Sequence, residues 1–414
     1  MQTKTALAVA GLCGVLAGAA AHAQERTIKV GIVESLSGPQ AASGQSIRTA
    51  VRYGIDRINA EGGWHGTKLE LIEYDNQGTA AGAADKLRSA IAEGVRIVLH
   101  GASSAIGGQI TEDVRKHNLR NPGKEVIYLS LGALALDLTG EKCHFHHFRL
   151  GPNSNVDIKA LVGAMAQAKA LGPRVYVINQ NYSAGVDMEA AFVSEVRAAG
   201  ATVVEKALHD VNKIQDFAPW VAKIKAANVD TVLTGNWSND LLFLMKAAKA
   251  SGLKARFGTL FLDQPGNIAN AGESAEGHFV AHSFNVEANA AAEALGNDYK
   301  AKTGHYPVYL EPTAMFGVAF LGEALKKVPA DAKELNVNAL GKALEQTRLS
   351  TPVGEWSMRA ADHQGLIPLV VSTVSPDARF KVDGSALGFR PVKIIPAQDA
   401  ATAVQANCRI NRPD

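Results

Sequence analysis

The sequence predicts an α/β protein of two similar lobes, each a largely parallel sheet flanked by helices, with a cleft between them. Three observations predict it. Short β-branched apolar runs alternate with helical periods of ten or more residues over most of the chain, the mark of parallel sheets wrapped in helices. The alternation comes in two sets, parted at Gly151-Pro152. A chain of 414 residues is also longer than a single core usually supports.

Residues 1–23 stand apart. They hold one basic residue, Lys4, an apolar core over 6–20 and the triplet Ala21-His22-Ala23, which reads as a secretory signal peptide with an A-x-A cleavage site. That core is shorter than the roughly 20 residues a membrane span needs. Leu12 ahead of Cys13 is bulky where lipoprotein processing wants a small residue, which argues for clean export. In an oxidising compartment the two cysteines that remain, Cys143 and Cys408, are expected to pair, with two unpaired buried cysteines as the alternative.

The opening unit follows. Ile28, Val30, Ile32 and Val33 form a buried parallel strand, which breaks at Ser35-Leu36-Ser37-Gly38-Pro39, a run of turn formers. Over 43–60, Ile47, Ala50, Val51, Gly54, Ile55 and Ile58 recur at helical spacing. Glu61-Gly62-Gly63 stops that helix, and 69–74 reads as the next strand. A loop at the carboxyl end of the first strand of such a βαβ unit is where open α/β sheets bind ligands.

The first set continues with helix 79–92, strand 96–99, helix 104–117, strand 126–129 and an extended run over 143–149. The second set places helices at 156–171, 184–199, 217–226 and 239–251. Its strands fall at 174–178, 202–206, 231–234 and 257–260. Past 277–282 three helices, near 288–303, 312–327 and 337–347, come without strands between them. A strand-rich tail closes the chain, with 367–374 and 390–395.

Composition excludes several classes. Forty-two Lys and Arg against 40 Asp and Glu form no basic face for nucleic acid, and no later apolar run is long enough for a membrane. G-x-G-x-x-G, Walker, G-x-S-x-G and H-E-x-x-H patterns are missing, so catalysis has no candidate constellation and no cofactor is implied. His144, His146 and His147 could suggest zinc, but in an alternating strand 144 and 146 share a face opposite 145 and 147. The sequons at Asn181-Tyr182-Ser183 and Asn236-Trp237-Ser238 fall where a cleft is expected.

Several strand ends carry small or hydroxyl residues that open a helix: Ser103-Ser104, Gly132-Ala133, Tyr182-Ser183 and Trp237-Ser238. A helix start exposes unpaired N–H groups and the positive end of its dipole, so hydroxyls there suit a carboxylate. Each serine alone reads equally as a helix cap. Together, with aromatics at two of the sites, they describe a cleft.

The segments SLSGPQAASGQ (35–45) and INAEGGWHGTKLELIEYDNQ (58–77) resemble the opening of periplasmic solute-binding proteins of branched-chain amino-acid ABC transporters. The similarity continues at HGASSAIGGQI (100–110), INQNYSAGVDM (178–188), FAPWVAKIKAANVDTVLTGNW (217–237) and NAGESAEGHF (270–279). The resemblance implies a type I periplasmic-binding-protein fold in which the chain crosses between lobes three times. Lobe 1 would hold 24–150 and 283–357, lobe 2 151–282 and 358–396, and a C-terminal tail 397–414. It implies a monomeric extracytoplasmic capture protein that closes on a small hydrophobic carboxylate and presents it to membrane permease subunits.

The resemblance also implies roles. Ser103 and Ser104 would hold the ligand carboxylate with backbone help from Gly132 and Ala133. Tyr182 matches a ligand-covering tyrosine, Trp237 sits where relatives often carry an aromatic, and Ser43 where some carry a bulky one. Two positions depart from leucine-binding relatives: Leu134 replaces a hydroxyl and Leu260 an acid, leaving Asp263 as the nearby acid for an ammonium. A branched-chain or other hydrophobic amino acid is the leading ligand class. An aromatic or aliphatic acid without the amine is the alternative. A receptor's sensing domain would need a signalling or membrane segment.

Overall fold

The computed structural model describes residues 27–38, 40–330 and 334–413; the expected signal peptide lies outside the described residues. The chain opens with β1 (Thr27–Glu34), α1 (Ala41–Ala60), β2 (Lys68–Asp75), α2 (Ala80–Ala92), β3 (Ile97–His100), α3 (Ser104–Arg120), β4 (Ile127–Ser130) and β5 (His147–Arg149). A second series runs through α4 (Ser154–Gln167), β6 (Arg174–Gln180), α5 (Ser183–Ala198), β7 (Thr202–His209) and α6 (Ala218–Ala226). It continues with β8 (Thr231–Thr234), α7 (Ser238–Ala250), β9 (Arg256–Thr259), α8 (Asn267–Ala271) and β10 (Phe279–His282). The remainder comprises α9 (Ala290–Thr303), α10 (Glu311–Leu325), α11 (Val337–Glu345) and β11 (Arg348–Thr351). β12 (Gly354–Arg359), β13 (Gln364–Leu366), β14 (Leu369–Ser375), β15 (Gly388–Ile395) and α12 (Ala397–Ala400) complete it.

Two sheets organise these elements. The first runs β11-β12-β13-β5-β4-β3-β1-β2 and the second β15-β14-β10-β9-β8-β6-β7. Within each, five strands in parallel register repeat one order, β2-β1-β3-β4-β5 and β7-β6-β8-β9-β10. The order reverses between β1 and β3 in one sheet and between β6 and β8 in the other. Such a reversal parts the flanking loops and leaves a crevice at the strands' carboxyl ends.

Central strands explain their own composition. Ile97–His100 and Thr231–Thr234 are buried at every position, because helices cover both faces of a parallel sheet. α1 turns Ile47, Val51, Ile55 and Ile58 inward, and burying such a side chain stabilises by about 1.5–3 kcal/mol. It lies close against α10, since a Cβ on Gly54 would stand 2.7 Å from Val318.

The chain passes between sheets at Gly151-Pro152, between β10 and α9, and at Ile367-Pro368. The third passage falls beyond the expected point near Ser357. β12 and β13 stay with the first sheet because Gln364 pairs with Arg149 of β5 and its Nε2 donates to the Gly151 carbonyl at 2.8 Å. The extended run expected over 143–149 is a strand only from His147, and residues 143–146 are a turn and short coil. After β15 the tail returns to the first lobe, where Cys408 is bonded to Cys143.

Candidate functional site

A cavity of about 620 Å³ lies between the carboxyl ends of the two sheets, within the usual range for a small-molecule site. Ser43, Ser103, Ser104, Gly132, Tyr182 and Trp237 line it together. Ala133 and Asp263 are not on its wall. Ala133 is fully buried and turns its carbonyl to Arg149 Nη1 at 3.1 Å. Asp263 is also buried, with Oδ2 3.5 Å from His282 Nδ1 and Oδ1 unpartnered. The turn after β9 gives Phe261 and Gln264 to the cavity and sends Asp263 behind it.

The first-lobe wall is built from backbone and hydroxyls. Ser103 caps α3 in extended conformation, its Oγ accepting from Ile106 N at 3.4 Å. Ser104 is the first residue of that helix. Its Oγ accepts from Leu134 N and Ala135 N, both at 3.1 Å, which occupies both lone pairs and leaves its proton to be donated elsewhere. Gly132 is closely packed: a Cβ would stand 2.8 Å from the Leu310 side chain and 3.1 Å from the Gly101 carbonyl.

Buried charge fixes this wall from behind. Glu34 at the end of β1 accepts from Ser35 N and Gly101 N, each at 2.8 Å, and its Oε1 lies 3.2 Å from His100 Nδ1. Both side chains are fully buried. Burial alone would raise the Glu34 carboxyl, but His100 and these amides outweigh it and hold it below the usual range. Burial likewise opposes a charge on His100, and Glu34 outweighs it, so the imidazole is raised. Arg149, fully buried, donates to the carbonyls of Ala133 and Ala135 and to Thr139 Oγ1. Burial pushes its guanidinium down to about 10, so it stays charged at neutral pH.

The second-lobe wall is aromatic and apolar: Tyr182, Trp237, Phe261 and Met188. Tyr182 and Trp237 themselves occupy the cap positions of α5 and α7, with no side-chain capping bond. Ser183 and Ser238 are therefore first helical residues, not the caps that hydroxyls there suggest. Ser238 takes a left-handed conformation, φ 57°, and its N–H donates to Gln264 Oε1 at 3.1 Å. Gln264 Nε2 reaches the Tyr309 hydroxyl at 3.2 Å, joining the two walls. Tyr309 is itself left-handed, φ 56°, and burial pushes its phenol up to about 12.

Gln264, Tyr309, Phe261 and Met188 are lining residues that sequence reasoning missed. Pro312, in the first turn of α10, was the one signal for Tyr309, since it marks the preceding residues as a loop. The acids on the wall are already paired: Asp137 Oδ2 lies 2.5 Å from Lys142 Nζ, and Glu112 Oε2 2.9 Å from Arg115 Nη2. The histidine segment is absorbed into the fold. His144 faces Thr111, His146 faces Asn338 and His147 stacks on Tyr128. A second hollow of about 330 Å³ sits on the first lobe, but its charged rim, Lys326 with Glu61 and Glu323, is self-satisfied.

The family model for periplasmic binding proteins matches residues 27–379. A Leu/Ile/Val-binding protein homolog 4 from Brucella abortus (strain 2308) is 53% identical over 415 residues, covering 100% of both chains. The crystal structure of a leucine-, isoleucine-, valine-, threonine- and alanine-binding protein from Brucella ovis, in closed conformation, superposes with TM-score 0.91 at 54% identity. That superposition covers 94% of this chain and 100% of that one. A solute-binding protein from Rhodopseudomonas palustris BisB5, in complex with 3,4-dihydroxy benzoic acid, shares the fold at TM-score 0.73 and 20% identity, covering 90% and 98%.

Proposed function

Because the chain belongs to the periplasmic binding protein family, as a member of its Leu/Ile/Val-binding type, we propose that its cleft captures a small neutral amino acid and delivers it to an ABC importer. Families of this kind are binding components and not enzymes, and they work in the periplasm. The signal peptide read at residues 1–23 is the export route this function requires. Permease subunits would receive the closed, loaded form, whose population rises by as much as the ligand prefers it.

One observation carries the carboxylate end: Ser104 Oγ, with both lone pairs engaged by Leu134 and Ala135 amides, has a proton to give to an anion. The start of α3 adds its dipole in the same direction. Tyr182, Trp237, Phe261 and Met188 would cover an aliphatic side chain. For the ammonium the candidate is Asp263, an acid beside the wall that keeps an unpartnered oxygen; it is buried behind Gln264 and would have to turn into the cleft to serve. The ligands named for the Brucella ovis protein at 54% identity support an aliphatic amino acid. Against that stands the pairing of both wall acids, which favours a carboxylic acid without an amine as the second reading.

Calorimetric titration with leucine and with 3,4-dihydroxybenzoate separates the two. Tight leucine binding that weakens in Asp263→Asn supports the amino acid, by a few kcal/mol if a buried charge pair is broken. Binding of the aromatic acid alone transfers the assignment to the second reading. Binding of neither removes both.

A further inference from the structure

The residues after β15 are held by both lobes. On the second-lobe side, Lys159 Nζ of α4 donates to the Ala401 carbonyl at 2.7 Å. On the first-lobe side, Arg359 Nη1 of β12 donates to Thr402 O at 2.5 Å, and Arg412 reaches Glu345 at 2.8 Å. Between these anchors the tail runs along the outside of one particular loop, residues 133–142. Gln405 Nε2 donates to the Leu136 carbonyl at 2.5 Å. Gly140 leaves room for the same side chain, since a Cβ there would stand 2.6 Å from Gln405 Oε1. Cys408 is bonded to Cys143 immediately beyond.

The inner face of that loop is the cleft wall. Leu134, Ala135, Asp137 and Lys142 line the cavity, and the amides of Leu134 and Ala135 orient the Ser104 hydroxyl. One short stretch of chain therefore touches the ligand cavity on one side and the tail on the other.

We propose that the C-terminal tail is a positioning brace for the ligand cleft: Gln405 and the Cys143–Cys408 bond hold the 133–142 loop from outside and tie it to the last strand of the second lobe. The tail is a fourth link between lobes, beside the three chain crossings. It limits how far the lobes part and keeps the Ser104 hydroxyl in register for the ligand. Gln405 and Cys408 touch no ligand; they act through Leu136 and Cys143.

The brace rests on the reading that the cleft takes a carboxylate ligand, and its test has one arm that does not. The test compares wild type, Gln405→Ala and the double variant Cys143→Ser/Cys408→Ser. Stopped-flow dissociation of leucine, or of 3,4-dihydroxybenzoate if that is the acid bound, is expected to speed up roughly three- to thirtyfold in both variants, as mutations within a coupling network do. Gln405→Ala should keep its melting temperature within a degree or two of wild type, since one partly exposed hydrogen bond contributes little. That combination separates positioning from general destabilisation. Small-angle scattering of the ligand-free proteins should show a larger radius of gyration for the cysteine variant. Unchanged dissociation rates together with unchanged scattering would overturn the brace. Failure of both ligands to bind wild type would overturn the carboxylate reading and leave scattering to judge the brace. If the cysteine variant does not fold, Gln405→Ala still decides through its dissociation rate.

Discussion

The two walls of the cleft share a topology and differ in material. In the first lobe the strand ends carry hydroxyls and close-packed backbone, held by the buried pair of Glu34 and His100 and by Arg149. In the second lobe the equivalent strand ends carry Tyr182 and Trp237, whose helices start without a side-chain cap. One wall is polar and heavily cross-bonded; the other is a broad apolar cover. On the proposed function the difference would divide the work, with the rigid wall reading the charged head of a ligand and the aromatic wall covering its body.

The sharpest way to break the comparison is to take away what stiffens the polar wall. His100→Ala leaves Glu34 buried beside only backbone donors, and removing one partner of a buried pair costs about 3–5 kcal/mol. Thermal unfolding measures it. The sign with pH follows from the shifts. Glu34 is lowered from 4.5, so its contribution is present above that pH and lost as pH falls through the folded value. His100 is raised from 6.5, so its share is present below that pH and lost as pH rises through the folded value. Wild type should therefore lose this stabilisation on both the acid and the alkaline side, and the His100→Ala protein should show a flatter profile.

Next in size is the polar wall's contact with ligand. Replacing Ser103 and Ser104 together with Ala should weaken binding by roughly 2–4 kcal/mol, since charge-assisted hydrogen bonds contribute about 1.5–3 each and the losses overlap. Unchanged affinity by calorimetry would leave both serines as structural groups. The apolar wall should lose less: Trp237→Ala is expected to weaken binding by about 1.5–3 kcal/mol through lost burial. A deeper loss than that of the serine pair would reverse the division of labour. Smallest is Tyr309→Phe, which removes the inter-lobe bond to Gln264 and should change affinity by about 0.5–1.5 kcal/mol. Its effect belongs in the dissociation rate if the bond forms on closing.

The alternation of strands and helices was legible because parallel strands buried on both faces read as unbroken apolar runs, as in Ile97-Val98-Leu99 and Thr231-Val232-Leu233. β11, β12 and β13 were not: they are three to six residues long, so no period has room to develop. The cleft was legible where a residue type serves a local rule, as Ser103 does at a helix start. Tyr309 and Gln264 meet only through folding, one arriving after the second crossing and the other from the turn beyond β9. Asp263 lies behind the wall because a shift of one position in that turn exchanges wall for interior. Nothing in local composition sets that shift.

The bond between Cys143 and Cys408 spans 265 positions, and every strand of the second sheet, from Arg174 to Ile395, lies inside that span. The second lobe is thus a closed covalent ring with the first lobe at its clasp. A protease that cuts the exposed turn at Asp383-Gly384 opens the ring without dividing the molecule. Nicked protein should run as one band on a denaturing gel and as two only after reduction. Such a ring keeps the chain one covalent molecule after a single cut in the second lobe.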